Sequence, residues 1–299
     1  MYIRYYLSLA NYYMAPAQAI PVMYEMHESH AKELEYLYNE TELLKGNIFM
    51  PEGANYDHVL SEVEKNRVFL ENRPEFALQD LKEAFGLEQT YDLFLWNDNE
   101  ATVDIDYISL HDTTYNGTYF CEVPVALSVT PKCGYKFDHW LVNGNKMETE
   151  QLVITSDMIE NGVVEIECVT SEDPEIGLLI SIISSKGMND YVVLKNYGNQ
   201  EANLGDYLLW DGENGTGAVT LPSTIIAPQE SVTVYCDNYI LADALWQPCV
   251  NFNLKAGETL MLYTKDGTLI QSVDIPQLGS EENIYTMNIY DRTFHEEIR

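Results

Sequence analysis

The chain has 299 residues, of which 46% are hydrophobic and 12% aromatic, so it has apolar material for two or three folded domains. It carries 16 Lys and Arg residues against 48 Asp and Glu residues, a formal net charge of −32. A surface this negative repels phosphate backbones and anionic lipid, which excludes nucleic-acid binding and electrostatic membrane docking as functions.

The N-terminus gives no sign of export or membrane insertion. No apolar run approaches the roughly 18–20 residues that a membrane-spanning helix needs. Residues Met1–Leu7 have neither the basic start nor the small-residue cleavage site of a secretory signal. We therefore expect either an internal protein or a downstream part of a longer exported chain.

Residues 1–88 are predicted to be helical. Apolar residues recur there at spacings of three and four, with acidic residues on the opposite face. Pro74 predicts a break, because proline disfavours helix in the residue before it, and Gly86 predicts the end of the last helix.

Residues 89–172 are predicted to form a β-rich module. Short runs of alternating β-branched and aromatic residues begin at Tyr91–Trp96 and Ala101–Tyr107, with Asn97–Asn99 as a turn between them. The polar, proline-bearing segment Ser171–Glu175 predicts a linker.

Residues 176–278 are predicted to form an antiparallel β-sandwich. Several short strands recur in about one hundred residues, separated by Gly, Pro, Asn and Asp. Residues 279–299 show no clear period and are predicted to be a C-terminal extension. The fold class is therefore a multidomain α plus all-β protein.

Several runs of the predicted sandwich together carry a family resemblance. They are Leu178–Ser181, Tyr191–Leu194 with Asn196, Leu204–Leu209, Ile226–Pro228, Phe252–Leu254, Gly257–Tyr263 and Asp266-Gly267. With these runs the segment resembles a lamin tail domain, an immunoglobulin-like module that serves bacterial proteins as an accessory domain. The resemblance implies a binding role without catalysis.

Two further resemblances cover the rest of the chain. Val125–Pro131 with Gly134–Trp140 resembles an InlB-type B-repeat, a small β-rich module of bacterial surface proteins. Glu25-Met26, His30 and Phe69–Phe76 are similar to the C-terminal helices of the CotH-type spore-coat kinase family. The nucleotide- and metal-binding residues of that family lie upstream of this region and have no counterpart here.

Three places in the sequence hold residue types that can bind a metal ion. Asp211, Glu213 and Asn214 are weak calcium candidates, because oxygen ligands stand beside glycines there. Asp98, Asp104 and Asp106 are a second set, and His27 with His30 could form a metal pair. Turn formation and helix packing account for the presence of these residues without a bound ion. We therefore expect no metal and no cofactor.

Trp246 is the aromatic residue that we expect to be exposed and to bind a partner, whereas Trp140 should lie in a core. Five cysteines form no metal-binding pattern, and a single Cys236–Cys249 disulfide remains open.

The sequence thus predicts a non-catalytic accessory or binding region of a bacterial envelope or secreted modular protein. It would contact a protein or glycan at a cell surface. The alternative is the regulatory C-terminal part of a CotH-like protein kinase whose catalytic residues lie upstream. No phosphate-binding loop or nucleophile elbow is found in the sequence, and no catalytic residue is predicted.

Overall fold

The structure is a computed structural model, and it describes residues 1–40, 55–185, 190–212, 217–255, 257–275 and 284–297. The chain divides into two compact units. The first comprises 1–99, 103–129 and 139–169, and the second comprises 100–102, 130–138 and 170–299. The confirmed fold class is α plus all-β with several sheets.

The N-terminal segment is helical. Helix α1 (Tyr2–Ser8) continues as a π-helical turn (Leu9–Tyr13), and α2 (Pro16–Glu40) and α3 (Tyr56–Phe85) follow. Asn55 caps α3, with its side chain accepting the His58 N–H at 3.2 Å, and Gly86 ends that helix in the left-handed conformation at φ +67°.

The predicted break at Pro74 is wrong, because Pro74 lies inside α3. Proline removes one hydrogen bond from a helix, but tertiary contacts hold the helix on both sides of it. Ala77 and Leu81 are buried beyond the proline, and Arg73, just before it, donates a hydrogen bond to the Tyr6 hydroxyl of α1. These contacts outweigh the local preference.

Two sheets follow the helices, in the strand orders β4-β1-β9-β6-β7 and β3-β2-β5-β8. Leu93 and Leu95 alternate with outward-facing residues of β1, and Trp140 is fully buried, as predicted. The two-residue loop Asn143-Gly144 joins β6 to β7 with both φ angles positive, as a tight hairpin requires. The strands are β1 (Thr90–Asn97), β2 (Ala101–Ile105), β3 (Ile108–Leu110), β4 (Thr114–Phe120), β5 (Val125–Pro131), β6 (Tyr135–Val142), β7 (Asn145–Met147), β8 (Gln151–Ile154) and β9 (Val163–Glu172).

The chain from residue 176 onward forms a sandwich. Its sheets have the orders β17-β16-β11-β10-β20-β21 and β14-β13-β18-β19, with a small β12-β15 pair. Buried residues from both larger sheets form one core cluster, including Ile180, Leu194, Val234, Leu209, Leu260 and Leu262. The elements are β10 (Leu178–Ser184), β11 (Tyr191–Asn196), β12 (Ala202–Asn203), β13 (Tyr207–Trp210), β14 (Val219–Thr220), β15 (Ile225–Ile226), β16 (Ser231–Cys236), α4 (Tyr239–Ala244), β17 (Cys249–Val250), β18 (Thr259–Thr264), β19 (Leu269–Asp274), β20 (Ile284–Met287) and β21 (Phe294–Glu297).

Two segments differ from the sequence-based prediction. Strand β9 continues to Glu172, into the predicted linker. Within the predicted C-terminal extension, β20 pairs with β10 and places Tyr285 in the sandwich core. The partner strand is far away in sequence, so the local pattern of 279–299 gave no indication of this pairing.

The five cysteines are free thiols. Cys249 lies opposite Tyr235, and Cys236 opposite Val250, in the parallel β16–β17 pair. Successive side chains of a strand point to opposite faces, so Cys236 and Cys249 lie on opposite faces of the sheet and are not positioned to form a disulfide. Burial raises the pKa of the Cys236 thiol, which keeps it protonated.

Candidate binding site

The candidate site is a short surface helix of the sandwich, α4, between β16 and β17. Asn238 caps its first turn, where its side-chain oxygen accepts the Leu241 N–H at 3.1 Å. Ala242 is buried and anchors the helix. The helix is therefore held at its start and on one face.

The end of α4 is closed by two hydrogen bonds of the Schellman type. The Trp246 N–H donates to the Asp243 carbonyl at 3.2 Å, and the Gln247 N–H donates to the Ala242 carbonyl at 2.9 Å. This motif requires a residue in the left-handed conformation, a position that glycine usually takes. Here Trp246 occupies it, with φ +56°. The backbone thus fixes the direction of the Trp246 Cα–Cβ bond.

Trp246 is 94% exposed and Ile240 is 88% exposed, so both large apolar side chains stand almost entirely in solvent. Tyr239 and Leu245 are about half exposed beside them. We call these four residues the α4 patch. Single exposed apolar residues are common, but four in eight consecutive residues make this segment the candidate binding surface of the sandwich.

Acidic residues accompany the α4 patch. Asp237 and Asp243 are exposed in the same segment. Partial desolvation, followed by the proximity of Cys249 and Asp237, raises the pKa of the Tyr239 hydroxyl, so this group stays a neutral hydrogen-bond donor at physiological pH. The surface can therefore offer apolar contact, one hydroxyl and negative charge.

The predicted calcium residues do not assemble into an observed site. Asp211 is buried, at 2% exposure, and Glu213 and Asn214 lie outside the described residues. In the first unit, Asp104 accepts a hydrogen bond from Ser109 at 2.5 Å, and Asp106 is paired with Arg4. These two carboxylates therefore make contacts within the fold.

The two candidate histidines are also engaged separately. His27 stacks on Tyr56, with its Nε2 3.4 Å from the tyrosine hydroxyl. His30 Nδ1 lies 2.8 Å from the Ser29 hydroxyl and 3.0 Å from the Met26 carbonyl. Across the part of the chain that the structure describes, no group of three or more His, Cys, Asp or Glu side chains could hold a metal ion.

The sequence predicts an exposed Trp246, which the structure confirms, whereas its binding role stays a prediction, and the exposed Ile240 and Leu245 were not predicted. The signal in the sequence is Asn238, a strong helix-capping residue ahead of an apolar and acidic run, which marks the start of a short helix. Periodicity alone could not find it, because six residues are too few to show a helical period.

The comparisons with known proteins concern the second unit. The family model described as Lamin Tail Domain matches residues 172–277, less than half of the chain. Lamin tail domains are immunoglobulin-like, typically non-catalytic modules of protein interaction. No curated protein matches the chain. Among the described helices, none is both long and apolar enough to cross a bilayer. The resemblances of 1–88 and of Val125–Gly144 to other families stay predictions.

Proposed function

We propose that the chain is a non-catalytic accessory region of a bacterial envelope or secreted modular protein, and that its sandwich binds a protein partner through the α4 patch. The observation that carries this proposal is Trp246, which combines a left-handed backbone with an almost fully exposed side chain. Neither property benefits the isolated fold.

The backbone argument is energetic. A residue with a Cβ costs about 1 kcal/mol or more in the left-handed conformation, and glycine would remove that cost. Strained positions of this kind cluster at functional sites. Tryptophan is also among the residues that contribute most to binding energy at protein interfaces.

The neighbours favour a protein over a glycan at this patch. Ile240 and Leu245 are aliphatic, and aliphatic side chains fill complementary apolar pockets. Asp237 and Asp243 add negative charge, so the expected partner surface is apolar with basic residues at its rim.

The experiment is a comparative binding assay. The full chain and its Trp246→Ala variant are immobilised and exposed to an envelope extract, and each retained protein is then purified and titrated against both. A true partner loses affinity by roughly 30-fold or more with Trp246→Ala, as expected for a central interface residue. Trp96→Ala, in the other unit, is the matched control and retains the partner. If no purified protein shows this dependence, the proposal is wrong.

The alternative is a regulatory region of a CotH-like kinase whose catalytic residues lie upstream, and it shares one prediction with the non-catalytic proposal. The chain alone should transfer no phosphate from ATP and magnesium to a protein acceptor, because it lacks that family's catalytic residues. Transfer by the isolated chain would overturn the non-catalytic proposal.

A further inference from the structure

A second surface, in the first unit, consists of aromatic residues on the outer face of β1. Leu93 and Leu95 point inward and are buried, whereas Phe94 and Trp96 point outward. The Phe94 and Trp96 rings have centroids 6.3 Å apart and an interplanar angle of 22°. Trp96 is 42% exposed. The two ring planes are therefore nearly parallel, and both side chains stand on the outer face of β1.

Polar side chains of β4 lie beside the ring pair on one side. The antiparallel register places Asn116 opposite Phe94 and Thr114 opposite Trp96. Thr118, opposite Asp92, donates its hydroxyl hydrogen to Asp92 Oδ1 at 2.8 Å, which shows that this row shares one face.

Carboxylates of β9 lie on the other side. In the parallel β1–β9 pair, Glu165 is opposite Phe94 and Glu167 is opposite Trp96, and both glutamates are exposed. The aromatic pair thus runs between a row of amide and hydroxyl groups and a row of carboxylates. We call Phe94, Trp96, Asn116, Glu165 and Glu167 the β1 platform.

A groove of about 450 Å³ opens at the Phe94 end of the platform. Its sheet wall includes Asp92, Phe94 and Asn116, and its helical wall includes Asn11 and Pro74. This volume lies in the range of small-ligand sites. The Asn11 amide donates to the Thr118 carbonyl at 2.8 Å, which holds the two walls together.

We propose that the β1 platform binds an uncharged polysaccharide, whose sugar rings stack on Trp96 and Phe94. The apolar C–H face of a pyranose fits a flat aromatic ring, and its hydroxyls would meet the amide, hydroxyl and carboxylate groups on either side. The glutamates and the net charge of −32 repel anionic polysaccharides. The proposal goes beyond the protein-binding function of the α4 patch, since it uses other residues in the other unit.

The test is affinity electrophoresis of the full chain in gels that contain one soluble polysaccharide each. Hydroxyethylcellulose, mixed-linkage β-glucan and galactomannan are the neutral probes, and polygalacturonate is the anionic one. We expect at least one neutral probe to retard the chain and polygalacturonate to have no effect. Trp96→Ala should weaken the measured affinity roughly three- to tenfold, the range of one aromatic contact.

The controls separate this site from the rest of the chain. Trp246→Ala removes an exposed tryptophan elsewhere and should leave the retardation unchanged. Trp96→Tyr keeps a stacking ring and should retain most of the retardation, so it remains informative if Trp96→Ala misfolds. Thermal melts compare the folding of all variants. The proposal is overturned if no neutral probe retards the chain, if polygalacturonate retards it equally, or if Trp96→Ala folds and binds unchanged. None of these outcomes bears on the α4 patch.

Discussion

Gln271 hydrogen-bonds both backbone polar groups of Ile180: its Oε1 accepts the Ile180 N–H at 2.7 Å, and its Nε2 donates to the Ile180 carbonyl at 3.3 Å. Strand β20 pairs with β10 only along Ile182–Ser184. The backbone N–H and C=O of Ile180 therefore lie past the end of this pairing. A side chain of β19 thus replaces a missing strand partner inside the core.

Replacing Gln271 with leucine should destabilise the sandwich by about 2 kcal/mol, because it leaves a buried N–H and a buried C=O without a partner. Hydrogen exchange measures this directly: the Ile180 amide should exchange faster in Gln271→Leu. Gln151→Leu, on an exposed strand position, is the control and should leave that rate unchanged. Equal protection of Ile180 in all three proteins would refute the role of Gln271.

Trp246→Gly should stabilise the sandwich by about 1 kcal/mol while it weakens binding to the partner, since glycine relieves the left-handed strain and the indole packs on nothing within its own unit. Trp246→Ala retains the strain and should show the loss of binding without the gain. Urea unfolding of the three proteins measures the difference. A destabilised Trp246→Gly variant would mean that the indole supports the fold.

Arg4 in α1 pairs with Asp106, whose side chain is 1% exposed, in the β2–β3 turn. The hydrogen bond to Asp106 raises the pKa of Arg4. Asp106 also accepts the Ala126 N–H at 3.1 Å. Arg4→Met should cost about 2 kcal/mol, because it leaves a buried carboxylate without its cation, although part of that charge is screened by solvent near Arg4.

The measurement for Arg4→Met is the midpoint of urea unfolding. Lys65→Met is the matched control, because it breaks an exposed pair with Glu62 on α3 and should leave the midpoint unchanged. Equal midpoints for wild type and both variants would show that the Arg4 pair contributes nothing.

A fragment that ends at residue 278 should be less stable than one that ends at 299. The shorter fragment loses β20, which pairs with Ile182–Ser184, and it loses the buried Tyr285. Thermal melts followed by circular dichroism of fragments 170–278 and 170–299 test this. Equal melting temperatures would show that the sandwich is complete without residues 279–299.

The sequence predicted the strands of the sandwich well, because runs such as Tyr191–Asn196 alternate and are bounded by turn residues. It failed at Pro74 and at β20, where contacts distant in sequence decide the structure. The candidate binding surfaces also divide into a part that the sequence predicts and a part that it does not. Trp246 stood out as an exposed aromatic residue, whereas the pairing of Phe94 with Asn116 and Glu165 depends on strand order, which one sequence does not reveal.

A buried tyrosine pair of β4 should make the first unit less stable at alkaline pH. The Tyr115 and Tyr119 hydroxyl oxygens lie 2.7 Å apart inside the first unit. Burial raises the pKa of Tyr115, although its hydrogen bond with Tyr119 acts in the opposite direction. Burial, followed by the proximity of Tyr115, raises the pKa of Tyr119 well above its ordinary value.

Both folded-state pKa values thus exceed the unfolded value of about 10, so the contribution to stability is complete below pH 10 and is lost as the pH rises toward the folded values. Each tyrosine should lower the free energy of unfolding by about 1.4 kcal/mol per pH unit in that window. The double variant Tyr115→Phe/Tyr119→Phe removes both hydroxyls together, so neither is left without its partner. Urea unfolding at pH 8, 9, 10 and 11 should give a shallower decline for this variant above pH 10 and parallel curves below it. Parallel curves over the whole range would show that these hydroxyls ionise as readily in the folded chain as in the unfolded one.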